Sequence, residues 1–307
     1  MTMTKKKVNW KRFLPFYLMA LPALIYIFIN NYIPMFGIVI AFKNYKVTKG
    51  IFGSDWCGLD NFKFLFTSPD AWNITRNTIL YNLAFIVIGT VFAIIVAILM
   101  NEINSRVSKN VFQTLILLPY LVSIIVVAYV VYAFLSPANG FVNTHILKAF
   151  GIDPISWYEE SKYWPFILIF VNVWKNFGYN SIIYIATIAG FDRSMYEAAS
   201  VDGSTKWQQI RYITIPCLKP TVITLTLMSI GRIFFSDFGL FYQVTMNSGA
   251  LIDTTATIDV YVFRGLMERG NIGMSAAAGF YQSIVGFMLI LVANAITRKL
   301  SKDNALF

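Results

Sequence analysis

The sequence predicts an all-α integral membrane protein with six membrane-spanning helices. Of its 307 residues, 57% are apolar and 13% are charged, and the mean hydropathy is +0.61. Soluble domains carry about 25% charged residues, so the composition excludes a soluble enzyme. Long apolar runs also recur along the chain, and the surface that they expose requires lipid rather than water.

The predicted spans follow from the lengths of these apolar runs. A helix needs about 20 apolar residues to cross the hydrocarbon core of a bilayer. The runs that meet this length are 14–42, 76–101, 111–135, 164–190, 217–242 and 273–297. They define a membrane domain over 14–298, with short tails at 1–13 and 299–307. The surrounding partner of this domain is membrane lipid.

Basic residues at the two ends indicate the orientation. Cytoplasmic segments of membrane proteins are enriched in Lys and Arg. The first run is preceded by Lys5, Lys6, Lys7, Lys11 and Arg12, and the last is followed by Arg298, Lys299 and Lys302. An even number of spans places both termini in the cytoplasm. The formal charge of +10 lies in such clusters beside apolar runs, so no nucleic-acid partner is predicted.

The chemistry of a self-contained enzyme is missing from the sequence. ATP hydrolysis of the common kind needs a glycine-rich phosphate loop that ends in Gly-Lys-Ser or Gly-Lys-Thr, and none occurs. His145 is the only histidine, so histidine-dependent catalysis and histidine metal sites are disfavoured. We expect no catalytic residue, cofactor or metal site in this chain.

An ion-coupled secondary carrier is the alternative from another class. Such carriers usually keep ionisable residues inside their spans. Here Asp237 is the only carboxylate within a predicted span. It is consistent with an ion pair with Arg232, with a position near the outer surface, or with ion coupling. The scarcity of such groups disfavours a carrier.

The loop at 191–216 is polar but rich in helix signals. Ser194 followed by Glu197 forms one capping box, and Thr205 followed by Gln208 forms another. Gly203 favours the left-handed conformation that ends a helix. The sequence therefore predicts two short helices joined by a tight turn, with Pro216 in the first turn of the next span.

Two interpretations of this loop compete. Trp207, Ile210 and Ile213 form an apolar stripe, which is typical of a hairpin that lies on the membrane surface. The small side chains of Ala198 and Ala199 instead allow close approach by another protein, which favours a docking element. Both interpretations are compatible with the helix signals alone.

The spacing in this loop resembles the EAA loop of permease subunits of bacterial ABC importers. The matching residues are Glu197, Ala198, Ala199, Gly203, Ile213 and Pro216, and Asp202 and Pro220 fit the sugar-permease version. Ser204, Ile210 and Ile215 depart from the usual Ala, Phe and Leu. The stretches 14–45, 58–66 and 77–82 resemble the oligosaccharide class of these permeases, in its LplB-type branch.

The resemblance implies a MetI-like permease fold and a role in importing oligosaccharides across a prokaryotic cytoplasmic membrane. It implies that the 191–216 loop docks on a separate ATP-binding subunit, present in two copies, which holds the ATP and Mg²⁺. It also implies a second homologous permease and an extracytoplasmic sugar-binding lipoprotein. A permease of the same superfamily for another class of solute is the alternative.

Polar residues within the spans indicate a substrate path. Asn172, Asn176 and Asn180 recur every four residues and lie on one helix face, flanked by Trp174 and Tyr184. Amides are costly against lipid, and amides with aromatic rings suit a carbohydrate. Hydrogen bonding between packed helices is the alternative role for this stripe. The other candidates for the path are Ser229, Arg232, Ser236, Gln282 and Ser283.

Overall fold

The computed structural model describes residues 10–67 and 69–300. Helices dominate this part of the chain, so the all-α prediction is confirmed. A small antiparallel ribbon, in which Lys43 faces Trp56 and Asn44 faces Asp55, is the β structure of the described residues. The predicted tails lie largely outside these residues and stay predictions, as does the orientation of the termini.

The α-helices vary from single turns to helices long enough to cross a bilayer. In chain order they are α1 (Trp10–Ile27), α2 (Ile33–Met35), α3 (Gly50–Gly53), α4 (Phe64–Thr67), α5 (Pro69–Asn101), α6 (Arg106–Leu121), α7 (Ile124–Leu135), α8 (Trp164–Ala189), α9 (Arg193–Val201), α10 (Lys206–Gln209), α11 (Ile215–Ile230), α12 (Ile252–Thr255), α13 (Ile258–Met267) and α14 (Ile272–Leu300).

Short segments of other geometry connect or extend these helices. The strands are β1 (Lys43–Asn44) and β2 (Asp55–Trp56). The π-helical segments are Phe28–Tyr32, Val142–Leu147, Ile210–Thr214 and Leu240–Val244. The 3-10 segments are Phe36–Phe42, Asp60–Phe62, Ser161–Tyr163 and Gly249–Leu251.

Several helices match the predicted spans. In the described part of the chain, the continuous helical runs that are long and apolar enough to cross a membrane are Phe13–Phe42, Ala71–Asn101, Lys206–Ile230 and Ile272–Lys299. The pair α6 and α7 gives a fifth if it is counted as one bent span. With 26 residues, α8 also has the length of a span, but polar residues interrupt its apolar sequence.

Two predicted spans differ from the structure because their helices break. The run 111–135 bends by 90° between α6 and α7, where Val122 is extended and the Ser123 hydroxyl accepts the Val126 N–H at 3.3 Å. The run 217–242 is not one helix, since α11 ends at Ile230 and the chain becomes helical again just before Leu240. A hydropathy pattern does not register such breaks, because the apolar residues continue through them.

The core forms where α5 and α8 pack along their lengths. One cluster joins Trp164 and Leu168 of α8 with Leu240 and Phe241, all nearly inaccessible to solvent. Gly178 lets α8 approach α6 closely, because an added Cβ there would lie only 1.8 Å from the carbonyl oxygen of Ile116.

The first span stands apart from this core. Every side chain from Phe13 to Phe36 is exposed, although most of them are apolar. Within a membrane protein, such a helix contacts lipid or another subunit.

Candidate functional site

The 191–216 loop forms the first predicted short helix, α9, and the tight turn after it, whereas the second is the start of the continuous helical run Lys206–Ile230. The first cap is also a different residue. Asp192 caps α9, and its Oδ1 accepts the Ser194 backbone N–H at 2.9 Å. Hydrogen bonds from the hydroxyl and then the backbone N–H of Ser194 hold the pKa of Asp192 below its usual value. The predicted capping box of Ser194 and Glu197 is therefore wrong, and the exposed Glu197 carboxylate has no capping role.

The turn between α9 and α10 follows the sequence prediction. Gly203 has a φ of +80°, and the N–H of Ser204 donates to the carbonyl of Ala199 at 2.9 Å. This is the Schellman geometry that ends a helix with a left-handed glycine. Thr205 and Gln208 then form the predicted capping box, in which both reciprocal hydrogen bonds are present.

Buried hydrogen bonds tie the two short helices together. The buried Gln209 side chain donates from Nε2 to the hydroxyl of Ser200 at 2.8 Å. The hydroxyls of Tyr196 and Thr214 lie 3.0 Å apart. These contacts cross from α9 to the helical run that follows it, so the two helices are joined by side-chain hydrogen bonds as well as by the turn.

Pro216 lies in the first turn of α11, as predicted, but no break precedes it. The chain is continuously helical from Lys206 to Ile230. In the π-helical turn the N–H of Ile215 donates to the carbonyl of Ile210, and the wider turn accommodates the proline that follows. The 191–216 loop is thus joined to the membrane by one uninterrupted helical segment.

The outward surface of the loop contains most of the residues that match the EAA spacing. Glu197, Ala198, Asp202, Gly203 and Pro216 are exposed, and Ala199 and Ile213 are half-buried. The surface also carries apolar side chains: Val201 is 86% exposed, and Trp207 and Tyr212 are each 68% exposed. An exposed apolar patch with a polar border is typical of a protein interface.

A cavity of about 770 Å³ lies between α5, α8, α11 and the segment 231–237. It brings together most of the predicted path residues, which come from α8 and from α11 and the segment after it. Those that line it are Asn172, Asn176, Asn180, Tyr184, Ser229, Arg232 and Ser236.

The asparagine stripe faces this cavity with amide groups that are available to a ligand. The Asn176 amide donates to the carbonyl of Asn172 at 2.9 Å. In the described residues the side chains of Asn172 and Asn180 make no hydrogen bond. Tyr179 also lines the cavity and stacks on Tyr120 with ring centroids 4.3 Å apart.

Three predicted path residues do not line the cavity. Trp174 lies on another face of α8, so Phe85, Tyr179 and Phe235 supply the aromatic surface instead. The Ser283 hydroxyl donates to the carbonyl of Gly279 in its own helix. Gln282 is buried and has a structural role next to the cavity.

Gln282, Asp259 and Asn82 hold the non-helical segment that follows α11. The Gln282 amide donates to the carbonyl of Phe234 and to Asp259 Oδ2, the latter at 3.1 Å. The same oxygen accepts the backbone N–H and hydroxyl of Ser236 at 2.6 and 2.7 Å. Asn82 of α5 donates to the carbonyl of Ile233 at 2.9 Å. We call these three residues the clamp.

The clamp explains why the predicted fifth span is interrupted. Backbone groups that leave a helix within a membrane need other hydrogen-bond partners. The clamp supplies them from three different helices, and the segment then presents Arg232 and Ser236 to the cavity. Broken helices in transporters typically lie beside a binding site.

Asp237 does not form the ion pair that was one interpretation of the sequence. Its Oδ1 accepts the backbone N–H of Leu240 at 3.1 Å. The ion pairs of the described residues do not include Arg232. Both residues line the cavity, and neither belongs to an ion pair of the described residues.

Lys175 is a further residue that sequence reasoning missed. Its Nζ donates to the carbonyls of Tyr120 and Val122 at 3.0 and 2.6 Å, and to that of Pro119 at 3.4 Å. A cation at the carboxyl end of a helix satisfies its free carbonyls. Lys175 therefore stabilises the break between α6 and α7, and its place beside the asparagine stripe was the available signal.

Comparison with known proteins decides the family. The family model described as "Binding-protein-dependent transport system inner membrane component" matches residues 89–302, more than half of the chain. The chain belongs to this family. The family assignment confirms the resemblance to permease subunits of bacterial ABC importers, and identifies the chain as a multi-pass inner-membrane permease subunit rather than a secondary carrier.

Individual relatives support the assignment. Protein LplB of Bacillus subtilis (strain 168) is 32% identical, with 97% of this chain and 94% of LplB covered. The polygalacturonan/rhamnogalacturonan transport system permease protein YteP of the same strain is 31% identical, with 94% and 89% covered. The LplB-type resemblance is thus confirmed.

A solved structure supports the fold. A chain of a bacterial alginate ABC transporter, in complex with an alginate pentasaccharide-bound periplasmic protein, superposes with a TM-score of 0.86. It is 31% identical, with 96% of this chain and 99% of that chain covered. The MetI-like ABC permease fold is therefore confirmed.

Proposed function

We propose that this chain is the membrane-spanning permease subunit of an ATP-driven importer for oligosaccharides. The observation that carries the proposal is the convergence of four asparagines, two serines, one arginine and one aspartate on one cavity between the helices. Hydroxyl-rich ligands are bound by such convergent polar groups on a partly apolar surface.

The chemistry of the cavity suits a carbohydrate. The free amides of Asn172 and Asn180 can each donate and accept hydrogen bonds. The rings of Phe85, Tyr179 and Phe235 offer apolar faces for the C–H surface of a sugar. The names of YteP and of the alginate transporter support a carbohydrate as the solute, rather than an amino acid, a peptide or an inorganic ion.

Coupling to ATP runs through the 191–216 loop in this proposal. The exposed surface around Glu197, Val201 and Trp207 docks on a separate ATP-binding subunit, present in two copies, where ATP and Mg²⁺ are bound. Closure of those subunits displaces the loop. Because Lys206–Ile230 is one helical run, the displacement reaches Ser229 and the segment 231–237 directly, and so changes the shape of the cavity.

The remaining partners complete a pore. A second, homologous permease covers the exposed faces of this chain, including Phe13–Phe36, and the membrane-facing remainder contacts lipid. An extracytoplasmic sugar-binding lipoprotein delivers the substrate to the outer end. Both termini lie in the cytoplasm, on the side of the ATP-binding subunits.

Transport by the reconstituted complex tests this function. The complex is purified from native membranes, placed in proteoliposomes that contain ATP, and supplied with its binding protein and mixed oligosaccharides. We expect ATP-dependent sugar uptake that falls at least tenfold in the double variant Asn172→Leu, Asn180→Leu, with the ATP-binding subunit still attached. Full uptake by this variant would contradict the proposal.

A further inference from the structure

Arg232 is a cation in the cavity wall that forms no ion pair with the described residues. It belongs to the non-helical segment 231–237 and lines the cavity. Its side chain makes no hydrogen bond or ion pair with any residue of 10–67 or 69–300. A charge within a membrane domain is costly unless it meets a partner or water. The Arg232 side chain is exposed, so its guanidinium is accessible to a ligand that enters the cavity.

The groups around Arg232 form no ion pair with it. The asparagines of the stripe are uncharged. Asp237 lines the same cavity, but it accepts the Leu240 N–H and forms no ion pair with Arg232. Asp259 is engaged by Ser236 and Gln282, and does not line the cavity.

The clamp fixes the position of this cation. Hydrogen bonds hold the backbone at Ile233, Phe234 and Ser236, immediately after Arg232. A binding group is most effective when neighbouring contacts hold its backbone in place. Arg232 thus directly precedes a stretch of backbone that is held by hydrogen bonds from three helices.

We propose that the cavity binds oligosaccharides that carry carboxylates, with Arg232 as the residue that recognises the acidic sugar. The inference rests on the proposed function and specifies its substrate class. A guanidinium forms two parallel hydrogen bonds with a carboxylate. The adjacent amides of the asparagine stripe then bind the hydroxyls of the same sugar units. Neutral sugars leave the guanidinium desolvated and unpaired, so they bind less well.

Selective uptake by the reconstituted complex tests this assignment. The probe is a partial hydrolysate of mixed plant and algal polysaccharides, separated by anion exchange into neutral, carboxylated and sulfated pools. Part of the carboxylated pool is reduced to neutral sugars of the same length. We expect uptake of the carboxylated pool, with at least tenfold less uptake of its reduced form.

Variants distinguish the effect of the Arg232 charge on uptake from a general effect on folding. Arg232→Gln is expected to lower uptake of the carboxylated pool at least tenfold, and Arg232→Lys less than that, because a lysine keeps the charge but loses the paired geometry. Arg298→Gln removes a cation from the exposed end of α14 and is expected to keep normal uptake.

Other results overturn the inference in distinguishable ways. Uptake of the neutral pool alone, unchanged in Arg232→Gln, removes the acidic substrate class but leaves the proposed function standing. Equal, Arg232-dependent uptake of the sulfated pool overturns the carboxylate assignment. Loss of another permease subunit from the Arg232→Gln complex shows that Arg232 pairs with that subunit. Failure to transport any pool overturns both the inference and the proposed function.

Discussion

Among the glycines of the chain, Gly178 leaves the least space for an added Cβ. A Cβ added there would lie 1.8 Å from the Ile116 carbonyl oxygen and 2.5 Å from its carbon. Ordinary contacts require about 3.5 Å, so α6 and α8 must separate by about 1.7 Å. Overpacking of this kind costs about 1–3 kcal/mol, and a clash with backbone favours the upper value.

Part of this cost is offset within α8. An alanine is more favourable than a glycine inside a helix by about 1 kcal/mol. The net destabilisation expected for Gly178→Ala is therefore about 2 kcal/mol, which is about 30-fold in the unfolding equilibrium. Gly89→Ala is the matched control, because α5 leaves open space around that glycine.

Unfolding in mixed micelles measures the difference. The purified protein is titrated with SDS, and its helical circular dichroism gives the midpoint and the free energy of unfolding. We expect a lower midpoint for Gly178→Ala and an unchanged or higher midpoint for Gly89→Ala. Equal midpoints for the two variants would refute the close approach of α6 and α8.

Three further changes probe the loop, the helix break and the clamp. Gly203→Val places a β-branched residue at φ +80°, which costs at least about 1–2 kcal/mol. We expect normal membrane insertion of this variant but little ATP-driven uptake. Full uptake would argue against a role of the 191–216 loop in coupling. Lys175→Met leaves carbonyls at the end of α6 without a hydrogen-bond donor, which costs about 1–3 kcal/mol of stability, so we expect a lower SDS midpoint. An unchanged midpoint would contradict the stabilising role of Lys175 at the helix break. Gln282→Leu removes the hydrogen-bond donor to Phe234 and Asp259, and we expect it to reduce uptake severalfold. Thr187→Val loses only a hydrogen bond within α8, and we expect normal uptake from this control. Equal uptake by the two variants would show that the clamp has no part in transport.

The sequence predicts what depends on local spacing. The turn at Gly203 and the capping box of Thr205 and Gln208 are determined by residues a few positions apart, and both occur as predicted. The sequence prediction missed the cap at Asp192 because the spacing of Ser194 and Glu197 fits a capping box equally well. Which of the two residues caps α9 depends on where α8 ends and on the path of the chain after it.

The cavity was predictable only in part, because its construction depends on distant residues. The asparagine stripe follows from a spacing of four within one helix. The clamp instead joins Asn82 of α5, Asp259 of α13 and Gln282 of α14, which are 151, 23 and 48 residues away from the backbone groups that they hold. Hydropathy alone could not predict the break after Ile230, since that break is stabilised by these long-range hydrogen bonds.

The central claim is that this permease couples transport to a separate ATP-binding subunit through the 191–216 loop. The most direct test is to tag the chain, extract its complex gently from native membranes and identify the proteins that copurify. Glu197→Lys reverses an exposed charge within the loop, and Glu268→Lys reverses an exposed charge outside it.

We predict that the wild type and Glu268→Lys retain an ATP-binding subunit and a second permease, and that Glu197→Lys loses the ATP-binding subunit alone. Recovery of an unchanged complex from Glu197→Lys, with normal ATP-driven uptake, would contradict the coupling role of the loop. Isolation of this chain alone from every preparation, with uptake that needs no ATP, would contradict the whole account.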